Sequence, residues 1–144
     1  MKETVPHHSE TNAIIERLNP TLQDMARTAM IAANMKGMWG DAIKWAAYTK
    51  NRIPHRSLEG LCPAEIFLSK EIADRRNLRP FGQKVMTHIY EENRGPDARW
   101  APRAQEARII GYTETHGIYQ AITATGKRVN TTKDPKPIKN NSEN

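Results

Sequence analysis

The sequence predicts an α+β fold in which an N-terminal helical segment precedes a small antiparallel β-barrel. Three observations carry that expectation. Apolar residues recur at three- and four-residue steps through the first half of the chain, the spacing of a helix face. From Pro80 onward the period falls toward two, the spacing of a strand. Separators bearing glycine, Gly95-Pro96, Gly111, Gly117 and Gly126, then divide that second half into short runs.

Residues 1–11 are polar and contain Pro6, which predicts a flexible arm, with Thr11 or Asn12 as helix N-cap. Ile15, Leu18, Leu22, Met25, Ala26, Ala29, Met30 and Ala33 then form one amphipathic stripe ending near Asn34. Pro20 falls inside it. An interior proline removes an amide donor and costs about 3 kcal/mol, so either a kink or a restart capped by Asn19 is expected. Beyond Lys36-Gly37, the residues Trp39, Ala42, Ile43, Ala46, Ala47 and Lys50 mark a second helix that stops near Asn51 on the approach to Pro54. Trp39 and Trp45 stand about 240° apart around that helix, so one core cannot take both. Pro63 opens a third, short helix through Leu68, and a charged connector, 70–77, follows. Met25, Met30, Met35 and Met38 read as packing side chains.

Four strands are expected, at 84–90, 107–112, 119–122 and 127–130, with Thr125-Gly126 turning the last pair into a hairpin. The tail, 134–144, is polar and expected to be disordered. Leu, Ile, Val and Phe total 24 of 144 residues, which predicts a thin core. The lone Cys62 forms neither an internal disulfide nor a structural zinc site, and it reads as an ordinary thiol in a reducing compartment. No apolar run has the length of a signal peptide or a membrane span, so a soluble intracellular protein without a membrane partner is expected.

The net charge of +6 permits a polyanionic partner. Residues 79–133 carry nine Lys and Arg against five Asp and Glu, whereas residues 1–78 carry eleven against nine, so the positive field is concentrated on the β half. Arg94, Arg99, Arg103, Lys127, Arg128 and Lys133, with Trp100 among them, are the candidate DNA-binding residues, suited to phosphates more than to base edges. A closed barrel would bring three or four of them to one face. His7-His8 suggest a metal pair only at first sight, because adjacent histidines in an arm point in different directions.

The run Asn12-Ala13-Ile14-Ile15-Glu16-Arg17, with Thr21-Leu22 and Met25-Ala26-Arg27-Thr28, resembles the helix that carries the last catalytic acid in integrases of copia-type long-terminal-repeat retrotransposons. Further segments agree in order: Met38-Trp39-Gly40-Asp41-Ala42 with Tyr48, Asn51-Arg52-Ile53-Pro54, Pro63-Ala64-Glu65, and Leu78-Arg79-Pro80-Phe81-Gly82. Arg103-Ala104 with Ile109-Ile110-Gly111-Tyr112, and Thr125-Gly126-Lys127, resemble the small Src-homology-3-like (SH3-like) barrel that follows the catalytic core in these Pol polyproteins. Ala13 and Pro20 depart from the family pattern, which usually has glycine at the first position and a helix-compatible residue at the second.

The resemblance implies a ribonuclease-H-like core remnant at 12–78 and an SH3-like β module at 79–133. It also implies that Glu16 is the third acid of a metal-dependent polynucleotidyl transferase that uses Mg2+ or Mn2+. The other two acids, the sheet that bears them and the zinc-binding module lie upstream in the family. Glu3 and Glu10 are neither placed nor typed as those aspartates. The chain is therefore expected to be a truncated integrase piece, inactive alone and without its own cofactor, with Glu16 a metal ligand only beside the missing aspartates. What it inherits is DNA binding and contacts with integrase subunits, in the nucleus if it acts as an integrase. Two readings from other classes stand beside this one: an interaction fragment that docks on intact integrase or host proteins, and a decayed product without function.

Overall fold

A computed structural model describes residues 7–71, 76–133 and 135–138, with side chains from residue 12 onward. Residues 1–6 of the expected arm and 139–144 of the expected tail lie outside the described residues. The element order is α1 (His7–Ala33), α2 (Trp39–Arg52), α3 (Pro63–Leu68), β1 (Lys84–His88), β2 (Ala104–Tyr112), β3 (Tyr119–Thr123) and β4 (Arg128–Asn130). The helices-then-strands α+β order is the one expected.

Helix α1 differs from expectation at its start and its middle. It begins at His7, inside the stretch expected to be an arm, and it runs through Pro20 without restarting. Pro20 has no amide to offer the carbonyl of Glu16, and one residue on, the Thr21 hydroxyl donates to the Arg17 carbonyl at 3.2 Å. The second half of α1 is held by tertiary packing. Leu22, Met25, Ala26, Ala29, Met30 and Ala33 pack with Ala42, Ile43, Trp45 and Ala46 of α2. Alanines dominate the contact, so the two helices need few large side chains to fill the space between them. Asn34, at φ 51, ends α1 by donating to the Ile31 carbonyl.

Helix α2 occupies the expected residues. Trp45 packs edge-to-face on Phe81 with ring centroids 5.9 Å apart, and its indole N–H donates to the Arg79 carbonyl at 2.9 Å. Trp39 is exposed, as the angular separation required. At α3, the buried Cys62 is the N-cap of a capping box, with its amide donating to the Glu65 carboxylate at 3.0 Å and Pro63 opening the helix.

The four strands form an antiparallel meander in the order β1-β2-β3-β4. The sheet is open where a closed barrel was expected. Strand β4 has only three residues and pairs with β3 alone, while the outer edge of β1 is taken by the chain's last described segment. Val85 bridges Pro137, the Ile138 amide donates to the Lys84 carbonyl at 3.0 Å, and Pro135 is buried. Residues 135–138 are thus tied to the sheet, within a stretch expected to be disordered.

A β-bulge joins sheet to helices. Between β2 and β3 the register passes from Ile109↔Ala121 to Gly111↔Gln120, which leaves Ile110 as the extra residue. Ile109 packs with Val85, Ala107, Tyr119 and Ala121 on one face. Ile110 turns the other way, into the cluster of α1, α2 and Phe81. One buried cluster therefore spans the helical and β segments, beside a second that lies within the sheet.

Candidate nucleic-acid interface

Strand polarity decides where the basic side chains go. His88 pairs with Ala104, so the 89–103 connection lies at the end of the sheet where β1 finishes and β2 begins. Ala107 pairs with Thr123, which puts the β3–β4 turn at the same end. The turn is built by Gly126 at φ 82, whose amide donates to the Thr123 carbonyl, and by the Thr123 hydroxyl, which accepts from the Lys127 amide at 3.1 Å. Arg94, Arg99, Arg103 and Lys127 therefore collect at one end of the sheet. Lys133 follows β4 after Asn130, which pairs with Gln120, and so lies toward the opposite end.

Within the connection, the Arg94 guanidinium donates to the Ile89 carbonyl at 2.8 Å and to His88 Nε2 at 3.2 Å, tying the loop to β1. The His88 ring packs edge-to-face on Tyr90. The Trp100 and Ala101 amides both donate to the Asp97 carbonyl, and Trp100 stands 86% exposed beside the exposed Arg99 and Arg103. Glu91, Glu92 and Asp97 share this connection and balance the charge of its three arginines. Any phosphate contact there depends on how the side chains are placed, since the loop has no net charge.

Arg128 is already engaged. Its Nη1 and Nη2 donate to Asp41 Oδ1 and Oδ2 of α2 at 2.8 and 2.9 Å, a two-pronged ion pair between residues far apart in sequence. The Arg128 hydrogen bond holds the Asp41 carboxyl below its ordinary range; burial opposes that, and the charges of Arg128 and Lys44 reinforce it. The same contact raises the pKa of Arg128. A second cross-contact runs from Arg108, whose guanidinium donates to the Ala33 carbonyl at the end of α1 at 2.7 Å. Sequence reasoning missed both contacts, because no local pattern links residues this far apart.

Tyrosines close the junction. Tyr112 stacks on Tyr48 of α2 with centroids 3.9 Å apart, and the Arg52 guanidinium lies 3.4 Å from the centre of the Tyr48 ring. The Tyr112 hydroxyl accepts from the Arg79 amide at 3.1 Å and lies 3.2 Å from the Arg79 carbonyl. Burial pushes the Tyr112 pKa up, against its hydrogen bonds to Thr49 and Arg79. The Tyr119 hydroxyl donates to the Asn77 carbonyl at 2.7 Å, and the Asn77 amide also meets the His116 ring. These contacts fix the segment that leads from the helices into β1.

Glu16 is exposed on the first half of α1. Among the described residues no group of three or more His, Cys, Asp or Glu side chains is placed to hold a metal ion. A lone surface carboxylate does not match a two-metal site. The side chains of His7, His8 and Glu10 lie outside those described. No helix among the described residues is long and apolar enough to cross a membrane.

The chain is 27% identical over 134 residues to the "Retrovirus-related Pol polyprotein from transposon TNT 1-94" of Nicotiana tabacum. The alignment covers 92% of this chain and 10% of that polyprotein. The resemblance to a copia-type Pol polyprotein carried by the motifs therefore extends across nearly the whole chain. The chain itself spans about a tenth of the relative's length. No protein-family profile matches it, and no solved structure does.

Proposed function

We propose that this stretch of a copia-type Pol polyprotein is the helical end of an integrase core joined to an SH3-like β module, and that it supplies a sequence-independent contact with duplex DNA. The observation that supports this most is the gathering of Arg94, Arg99, Arg103 and Lys127 at one end of the sheet by the strand register. Cations on two neighbouring connections suit the spaced phosphates of a duplex, and phosphates carry no base identity. Glu16 stands in this reading as the acid that would need aspartates from elsewhere in an integrase. The test is charge reversal. Arg103→Glu with Lys127→Glu should weaken binding to a random-sequence duplex at low salt far more than Arg17→Glu with Arg27→Glu, which makes the same change in net charge at exposed positions of α1. Equal losses from both variants would mean diffuse attraction and no interface at the sheet end.

A second reading has its own observation. Ile14, Ile15 and Leu18 of α1 are exposed, as are Ile66, Phe67 and Leu68 of α3. A groove of about 530 Å³ lined by Met25, Ala29, Ala32 and Trp45 runs along the α1–α2 face. Apolar surface of this kind favours a protein partner such as an integrase subunit. Co-purification with an intact integrase after nuclease treatment, lost on Phe67→Glu, would support that reading over DNA binding.

A further inference from the structure

The Asp41–Arg128 pair joins two elements whose packing does not depend on it. The helices and the sheet already share the cluster of Ala26, Ala42, Ala46, Phe81 and Ile110, and Arg108 and Tyr112 add their own contacts. A partly exposed ion pair adds little to stability in such a setting. Its geometry is specific nonetheless. A guanidinium fork presents the same two donors to a carboxylate and to a phosphate. The Arg128 side chain remains 60% exposed while Asp41 is 15% exposed, so the cation faces solvent over the top of its internal partner. Lys44 is exposed one helical turn on from Asp41, near enough for its charge to act on that carboxyl. Arg128 thus grips the carboxylate from β4, and Lys44 adds a second positive charge from the same helix as Asp41.

We propose that Arg128 of β4 and Lys44 of α2 form a phosphate site at the helix–sheet junction, and that Asp41 occupies it as an internal competitor of nucleic-acid backbone phosphate. This rests on the DNA-binding reading above and adds to it a site beside the sheet end, one residue on from Lys127 and facing α2. In the resting chain Asp41 holds the Arg128 fork, and a DNA phosphate reaches that fork only by displacing the carboxylate. Asp41 therefore sets how many phosphates the chain meets.

The experiment is a salt titration of the full chain with a random-sequence duplex oligonucleotide. It compares the unaltered chain with Asp41→Asn and with Asp24→Asn, which makes the same change in net charge on exposed α1. Asp41→Asn should raise affinity more than Asp24→Asn. It should also steepen the slope of log K against log salt by about 0.9 for each additional phosphate neutralised. Adding Arg128→Gln to Asp41→Asn should abolish the increase, and adding Lys44→Gln should reduce it. Asp41→Ser, which also removes the charge, serves in place of Asn should that variant melt at a markedly lower temperature. Equal effects of Asp41→Asn and Asp24→Asn, or an increase that survives Arg128→Gln, would overturn this site while leaving the sheet-end interface standing. Absence of any duplex binding by the unaltered chain and by Asp41→Asn would overturn both.

Discussion

Tyr112 concentrates several tasks in one side chain. It stacks on Tyr48, lies against Tyr119 and joins its hydroxyl to both backbone polar groups of Arg79. Tyr112→Phe would keep the stacking and remove the hydroxyl, leaving the part-buried Arg79 amide without that acceptor. A loss of about 1–3 kcal/mol in denaturant unfolding is expected, the range for leaving one member of a buried hydrogen bond unpaired. An unchanged midpoint would mean that water replaces the hydroxyl at no cost. Nothing in the sequence around Ile109-Ile110-Gly111-Tyr112 marks this residue as the junction, because its partners come from α2 and from residue 79. The sequence did locate the cations, but whether each faces solvent or a carboxylate depends on packing. Arg94 and Arg128 are the two whose placement no local pattern could reveal.

Among the elements, α2 and α3 were fully legible, since Pro54 and Pro63 punctuate the chain at the helix boundaries. The β3–β4 hairpin was equally clear from Thr125-Gly126, whose glycine lies in open space. Three features were hidden. Helix α1 tolerates Pro20, β2 begins at Ala104 before its apolar run, and the bulge at Ile110 breaks the alternation that strand reading relies on. The lead into β1 shows why a glycine stands where it does. Gly82 has φ 75, its amide donates to the Ile109 carbonyl at 2.7 Å, and an added Cβ would run into the Ala33 methyl of α1. Gly82→Ala therefore combines backbone strain with a clash between helix and sheet. It should cost at least about 1–3 kcal/mol in thermal or denaturant unfolding, the cost of a strained backbone conformation alone. Gly126→Ala meets no neighbour and should cost less; the reverse order would contradict the packing of α1 on the β1 approach.

At the scale of the molecule, one buried cluster spans the helices and the sheet, beside a second within the sheet. The apolar pattern of each half predicts its own amphipathic face, and it does not say that the two faces meet. Here Phe81 and Ile110 extend the helical core into the sheet, and the Tyr112 and Arg108 contacts run beside it. One cooperative unfolding transition is expected, with amides of α2 and β2 sharing similar hydrogen-exchange protection and residues 12–18 of α1, whose side chains are mostly exposed, exchanging faster. Two separate transitions would show that the halves fold alone.

The central functional claim is that the sheet end meets phosphates as a group, and the salt dependence of duplex binding by the unaltered chain tests it most directly. With Arg128 held by Asp41 and Lys133 toward the far end, four cations remain, which sets a limit of about −3.6 on the slope of log K against log salt. A slope of about −3, with little difference between unrelated duplex sequences, is the result the account predicts. Absence of binding at low salt, or binding whose strength does not change with salt, would contradict it.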